Sequence, residues 1–382
     1  MERQHFEPEH EAFRKHVRDF ISAEVLPHVD RWRADMIIDR DHLRVAARAG
    51  LLGLSMPERF GGAGQDDYRY NQVILEEYEA AGVGPSGTGL MLQNDIVAPY
   101  LEAFANAEQQ DRWLAPLASG ELMGCVAITE EGAGSDIAGV STTAVRDGDG
   151  YRVNGGKKYI GCGINADFAL TVVRTDSTQR HRGLSLLVLE KGTPGYEQVQ
   201  NIPRAGRLEQ DVAELAFHDL WVPAANLIGA EGGAFGYLVE NLVKERLQVA
   251  VSTIAACRYM FGLAVRRATE RVAFGRPIGT NQYLKFQIAE MSTELAVTQS
   301  HVDHCVRALN AGTLTAVEAA QAKWWGAELQ VRFADRCFEI HGASGYTEDS
   351  PMSRAWRDAR ITTIYAGSNE IMKEIIGRSY GF

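Results

Sequence analysis

Apolar positions in the first third of the chain recur at helical spacing. Phe13, Val17, Phe20 and Ile21 fall at i, i+4, i+7 and i+8, a stripe that Pro27 closes. Similar patterns predict helices over 41–52, 66–81 and 85–104, and Asn106 with Gln109 forms a capping-box variant that opens a fifth. Glu76 and Glu77 read as solvated helix face. From about residue 122 the pattern changes to short β-rich runs, at 123–128, 142–146, 151–154, 158–161, 168–173, 184–190, 196–200 and 213–222. Turn signals such as Asp147-Gly148-Asp149-Gly150 and Thr193-Pro194-Gly195 separate them. These strands follow one another without helices between them, which argues against a Rossmann unit. From about residue 233 helical periodicity returns in longer pieces, 234–272, 281–310, 315–341 and 368–378, with a capping box at Thr315 and Glu318. Four long helices with short joins predict an antiparallel bundle.

The fold class is therefore mainly α with a central β-domain. The expected domains are a helical one over 1–121, a barrel- or sandwich-like one over 122–232 and a helical bundle over 233–382. A chain of 382 residues is long for one core, so this division suits its length. A net charge of −11 argues against nucleic acid or an anionic membrane as a general partner. The five cysteines, Cys125, Cys162, Cys257, Cys305 and Cys337, are scattered with no CxxC pair. That usage predicts no structural disulfide or metal site and a reducing, cytoplasmic setting. The opening MERQHFEPEHEAFRKH is too charged for a signal peptide, and no apolar window is expected to reach membrane-spanning length.

Candidate chemistry begins at 125–136, CVAITEEGAGSD, where an apolar run breaks into Thr129, two carboxylates and a Gly132-Ala133-Gly134-Ser135 loop. Such a loop suits an anion-binding nest, with the hydroxyls of Thr129 and Ser135 as further donors, or equally a tight polar turn between strands. Glu245 interrupts an apolar stripe made by Leu238, Leu242, Val249 and Ala256. A carboxylate in that position is either kept for proton chemistry or paired in a buried salt bridge with a base such as Arg246. Residues 271–277, RVAFGRP, frame an aromatic and a glycine with two arginines, a set suited to phosphate. Ser368 is a good N-cap for a last helix whose N-terminus could face an anion.

Taken in order, AITEEGAGSD (127–136), NGGKKYIG (154–161), ERVAFGRPI (270–278), IHGASGY (340–346), RDAR (357–360) and IYAGSNEI (364–371) resemble the acyl-CoA dehydrogenase family over essentially the whole chain. The resemblance implies FAD held between the β-domain and the bundle, with help from a neighbouring subunit, usually in a homotetramer. It implies flavin or FAD contacts from Ile128, Thr129, Gly134, Ser135, Tyr159, Gly161, Arg271, Phe274, Gln282, Glu339, Gly342, Ser368 and Glu370, and substrate contacts from Ser135, Arg246 and Ala366. Tyr159 stands where the family usually has tryptophan, Glu131 where it has proline, Gly161 where it has threonine, and Glu339 where glutamine is common.

The largest departure is Ala366. Most members carry there, between Tyr365 and Gly367, the glutamate that removes the α-proton, and a methyl group cannot accept one. Long-chain and isovaleryl members instead place the base in a Glu-Arg pair that matches Glu245-Arg246. The implied activity is α,β-dehydrogenation of an acyl-CoA in lipid metabolism, with electrons passed to an electron-transferring flavoprotein. Rival readings are a dehydrogenase of acyl groups on acyl carrier protein, a flavin oxidase or monooxygenase, and a binding protein that kept the fold.

Overall fold

The structure, a computed structural model, describes residues 3–382. Helix α1 (Pro8–Phe20) buries Val17 and Phe20 and runs on through a π-helical turn at Ile21–Val25. Next come α2 (Val29–Asp35), α3 (His42–Arg48) and α4 (Arg69–Ala80). The segment read as one helix over 85–104 is a relay: α5 (Thr88–Leu92), a π-helical turn at Gln93–Val97, and α6 (Ala98–Phe104). Asn106 caps α7 (Ala107–Ala118) by accepting from the Gln109 N–H, and Gln109 answers in kind, as the capping-box spacing predicted.

Helix gives way to strand between Ala118 and Gly124. The strands are β1 (Gly124–Ala127), β2 (Thr143–Asp147), β3 (Gly150–Gly161), β4 (Phe168–Arg174), β5 (Leu184–Glu190), β6 (Tyr196–Asn201), β7 (Val212–Pro223) and β8 (Leu227–Ile228). They form one sheet in the order β6-β7-β3-β2-β4-β5-β8, and β1 joins it by pairing parallel with β4. The two runs read at 151–154 and 158–161 are a single strand. Gly155 bridges them at φ 141°, where a Cβ would lie 2.7 Å from Thr142, and β3 shifts register against β7 on either side. Alternation sets the two faces. Leu187 and Leu189 join Tyr151, Leu215 and Phe217 in a core inside the sheet. Leu184, Leu186 and Val188 instead meet Tyr100, Trp113 and Leu114 of the helical domain.

Helix returns at α8 (Ala234–Glu270), followed by a small hairpin of β9 (Val272–Ala273) and β10 (Arg276–Pro277). Then come α9 (Gln282–Asn310), α10 (Ala316–His341), α11 (Pro351–Ala359) and α12 (Asn369–Ser379). Helix α8 crosses α10 closely because Gly326 leaves room for Thr253; a Cβ there would lie 2.5 Å from its hydroxyl. One apolar core runs from α1, α3 and α4 through α8 to α9 and α10, so the first and last domains share a single interior.

Two expectations need correction. Contrary to the expected lack of any such window, α8 is long and apolar enough to cross a membrane, with a window of mean hydropathy 1.3. Its length and apolarity follow from its place, because it is the central helix and packs against neighbours on several sides. Nor are Glu76 and Glu77 a solvated face. Glu77 is buried against Arg14 (2.7 Å) and Arg18, and Glu76 meets Arg3 (2.7 Å) and Arg14 (3.0 Å).

Candidate active site

Glu245 follows Leu242 by three residues on α8 and is buried at 8% exposure. Its Oε1 accepts a hydrogen bond from the buried Tyr100 hydroxyl at 3.1 Å. Burial is the main influence on its acidity, raising its pKa to about 7; the Tyr100 bond and the Arg246 charge pull the other way, and Asp95 adds to the rise. Glu245 and Arg246 are successive helical residues and form no salt bridge among the described residues. The buried ion pair offered as an alternative is therefore not what holds the carboxylate. The Arg246 Nε is itself buried without a partner.

Beneath α8 the fully buried Lys323 of α10 donates to the Gly367 carbonyl at 2.6 Å, fixing the Tyr365-Ala366-Gly367 turn. Burial first and the nearby Arg246 charge second lower the Lys323 pKa to about 8. Ala366 holds φ 53°, and its main-chain N–H makes no backbone hydrogen bond among the described residues. Ser368 caps α12, its hydroxyl accepting from the Ile371 N–H, whereas Glu370 is exposed. Glu245 and Arg246 of α8 thus meet Ala366 and Ser368 of the turn before α12 at one end of the bundle.

The β-domain contributes a second group. Lys157, buried in β3, donates to the Ile128 carbonyl (3.0 Å) and to Glu130 Oε1 (2.8 Å). Glu130 also accepts from the Ser141 N–H (2.7 Å) and the Thr142 N–H (2.9 Å). Burial works to raise the Glu130 carboxyl, but Lys157 and these donors outweigh it and bring the pKa down to about 2. The Gly132–Ser135 loop is a tight turn closed by paired Glu130 and Ala133 main-chain bonds, with Gly134 and Ser135 exposed. On the next strand Lys158 N–H donates to the Thr129 carbonyl, and Tyr159, at φ 62° and 57% exposure, turns its ring outward beside Gly161.

The remaining predicted residues stand apart. Arg271, Phe274 and Gln282 are exposed at the α8–α9 junction, Phe274 wholly so, and Glu339 and Gly342 are exposed at the end of α10. Arg271 follows Glu245 by 26 residues along one helix, about 39 Å at 1.5 Å per residue. Sequence reasoning missed Tyr100, Lys157 and Lys323. Lys157 sits inside the quoted NGGKKYIG motif, but nothing local marks Tyr100.

A helical domain, a wrapped sheet and a helical bundle around a desolvated carboxylate define an oxidoreductase scaffold of three parts. Profiles for the acyl-CoA dehydrogenase N-terminal, middle and C-terminal domains match residues 7–121, 125–220 and 232–381, so the chain belongs to the acyl-CoA dehydrogenase family, whose members are FAD-dependent. It is 37% identical over 375 residues to the mitochondrial long-chain specific acyl-CoA dehydrogenase of Sus scrofa, covering 98% of this chain and 86% of that one. The crystal structure of acyl-CoA dehydrogenase from Geobacillus kaustophilus superposes with a TM-score of 0.97 at 41% identity, covering 99% of this chain and 100% of that one. A structure described as the electron transferring flavoprotein of Acidaminococcus fermentans matches at TM-score 0.93 and 31% identity, covering 99% of each chain.

Proposed function

We propose that this chain carries out FAD-dependent α,β-dehydrogenation of an acyl-CoA, with Glu245 as the base that takes the α-proton. The observation that carries this reading is the pairing of a buried Glu245, pKa about 7, with an alanine at 366. A carboxylate titrating near neutrality is ionised often enough to act and basic enough to take a weakly acidic proton. The free N–H of Ala366 is available to hold the thioester oxygen, where negative charge grows as the proton leaves. Lys323 keeps that donor in place through the Gly367 carbonyl.

The residues present fit FAD. The exposed Tyr159 ring offers a flat apolar face, and Gly134 and Gly161 have nothing within 4 Å of where a Cβ would stand. Thr129, Ser135, Ile128 and Ser368 would hold the flavin half, and Arg271, Phe274, Gln282, Glu339 and Gly342 the adenosine diphosphate half. When bound, FAD supplies the hydride acceptor for the β-carbon. The distance of about 39 Å between Glu245 and Arg271 along the helix keeps the two sets from closing on one dinucleotide within a chain. A second copy would supply the far set, which supports a homo-oligomer, a tetramer in this proposal. The family resemblance supports an electron-transferring flavoprotein as the electron acceptor. Five free, buried cysteines support a cytoplasmic setting.

Anaerobic mixing of the yellow holoenzyme with acyl-CoA thioesters tests the reading. Loss of flavin absorbance with formation of a 2-enoyl thioester is expected. No bleaching with any acyl-CoA, or bleaching only with acyl groups on acyl carrier protein, overturns the acyl-CoA assignment. Rapid peroxide formation in air points instead to an oxidase.

A further inference from the structure

Ser252 lies on the same face of α8 as Glu245, seven residues and two turns on, about 10 Å along the axis. There the wall changes character. Ser252 donates to Glu79 Oε1 of α4 at 2.6 Å. Gly84 faces the same carboxylate, and a Cβ on it would lie 2.3 Å away. Arg207, from the β6–β7 connection, reaches in beside them. It adopts φ 52°, a strained conformation for a residue with a side chain, and its main-chain N–H is held by Asp358 of α11. Its guanidinium makes one hydrogen bond, to Thr88 Oγ1 at 2.9 Å, and no ion pair among the described residues. The neutral Tyr365 hydroxyl lies close to it, and the charges of Glu79 and Asp358 act on it. Tyr365 adjoins Ala366 and Ser252 shares a face of α8 with Glu245, so this cluster neighbours the Glu245 site.

These six side chains are neither sealed nor at the outer surface. Each is half-buried, though burial dominates the acidity of Glu79, Asp358 and Tyr365. The free oxygen of Glu79, the Arg207 Nη1 and the Tyr365 hydroxyl have no partner among the described residues, and none is walled off from solvent. Such unpaired groups are within reach of water. A plain hydrocarbon tail packed against them would strip them of water and return no hydrogen bond, a cost that a well-fitted apolar contact does not repay.

Resting on the dehydrogenase reading above, we infer that the acyl group this enzyme takes carries a neutral hydrogen-bonding oxygen, a hydroxyl or ketone, near its far end. Donors and acceptors for it are the Glu79 carboxyl, the Ser252 and Tyr365 hydroxyls and the Arg207 guanidinium. The charge balance favours a neutral group over a carboxylate. Arg207 supplies one fixed positive charge, Asp358 and Glu79 already face it, and the nearby Glu209 is offset by its own ion pair with Arg33 at 2.6 Å. Burial lifts Asp358 to about 6 and Glu79 to about 7, so near neutrality the cluster is close to balanced, and a further anion would add a third acid.

The test is flavin reduction with matched acyl-CoA pairs, plain and hydroxylated near the terminus, over a range of chain lengths, with ω-carboxyl analogues as a third arm. At the best length the hydroxylated thioester is expected to exceed its plain partner in kcat/KM by at least ~10-fold, because buried polar groups reject a ligand that leaves them unpaired. Ser252→Ala, a mild change, should narrow that gap, and Glu79→Leu should reverse it. The wild-type series decides the matter even where a variant does not fold. Equal or better turnover of plain thioesters at every length overturns the inference alone, as does a preference for the ω-carboxyl series. A bound flavin that no thioester reduces overturns the dehydrogenase reading as well.

Discussion

Tyr100 and Glu245 are 145 positions apart in sequence, and the hydroxyl of one donates to the carboxylate of the other across 3.1 Å. The bond favours the ionised form of Glu245 against the burial that raises its pKa. The rate of flavin reduction at low substrate should therefore rise with pH through about 7, as Glu245 loses its proton. Tyr100→Phe removes the bond and moves that rise to higher pH. Expected is a loss of about 3–10-fold at pH 7 that largely disappears at alkaline pH, because below its pKa a carboxyl loses about tenfold in ionised fraction each time that pKa rises by one. A pH profile that Tyr100→Phe leaves in place would show that the hydroxyl does not tune the base.

Glu245→Gln keeps shape and hydrogen bonding but cannot take a proton. The variant should fold, keep its flavin and slow flavin reduction by ~10²–10⁴-fold. Adding Ala366→Glu should restore part of the rate, since position 366 already adopts φ 53° and an added side chain needs no new backbone conformation. Stopped-flow reduction at matched flavin content checks both. Near-wild-type rates in Glu245→Gln would remove Glu245 as base.

Lys157→Met leaves Glu130 charged and buried without its cation. Breaking a buried pair from one side typically costs ~3–5 kcal/mol. Denaturant unfolding should report a loss of that order, together with weaker flavin retention, because the same ammonium holds the Ile128 carbonyl. The Glu130 carboxyl is depressed to about 2 from 4.5. Its contribution is thus present above about 4.5 and fades as pH falls toward 2, so the wild-type advantage over Lys157→Met should shrink in acid.

Phe274 is wholly exposed on the β9–β10 hairpin, with Val272 at 55% and Tyr283 at 72% beside it. Exposed apolar groups so clustered mark a contact surface. Phe274→Ser should lower the mass seen by light scattering at micromolar concentration and release FAD on dilution. A wild-type protein that runs as a single 42.0 kDa chain with FAD bound would contradict the shared cofactor site.

Much of the architecture could be read in the sequence because its signals are local. Asn106 with Gln109 and Thr315 with Glu318 form their capping boxes as spaced. Leu184–Glu190 is a strand to the residue. Failures arose where distant partners decide the outcome. Glu76 and Glu77 looked solvated because the arginines that bury them lie about sixty positions away. The runs 151–154 and 158–161 looked separate because Gly155-Gly156 interrupts the side-chain alternation of one long strand. Helices α2 and α11 are short and polar, although Ser350 and Pro351 did carry a start signal for α11. Of the site, Glu245 stood out against its apolar stripe. Tyr100 did not, since a tyrosine in a core helix has no local mark of its use.

Helix α8 carries Glu245 in its first third and leads without a break to the Arg271 hairpin at its far end. A helix advances about 100° per residue, so inserting one residue between them would swing the hairpin by about that angle relative to Glu245, and deleting one would swing it back. Four residues inserted together would nearly restore the heading while pushing the hairpin outward by about 6 Å. Length variation between 245 and 271 in steps of one is therefore forbidden. The spacing of these two residues is a fixed dimension of the machine, as its individual side chains are not.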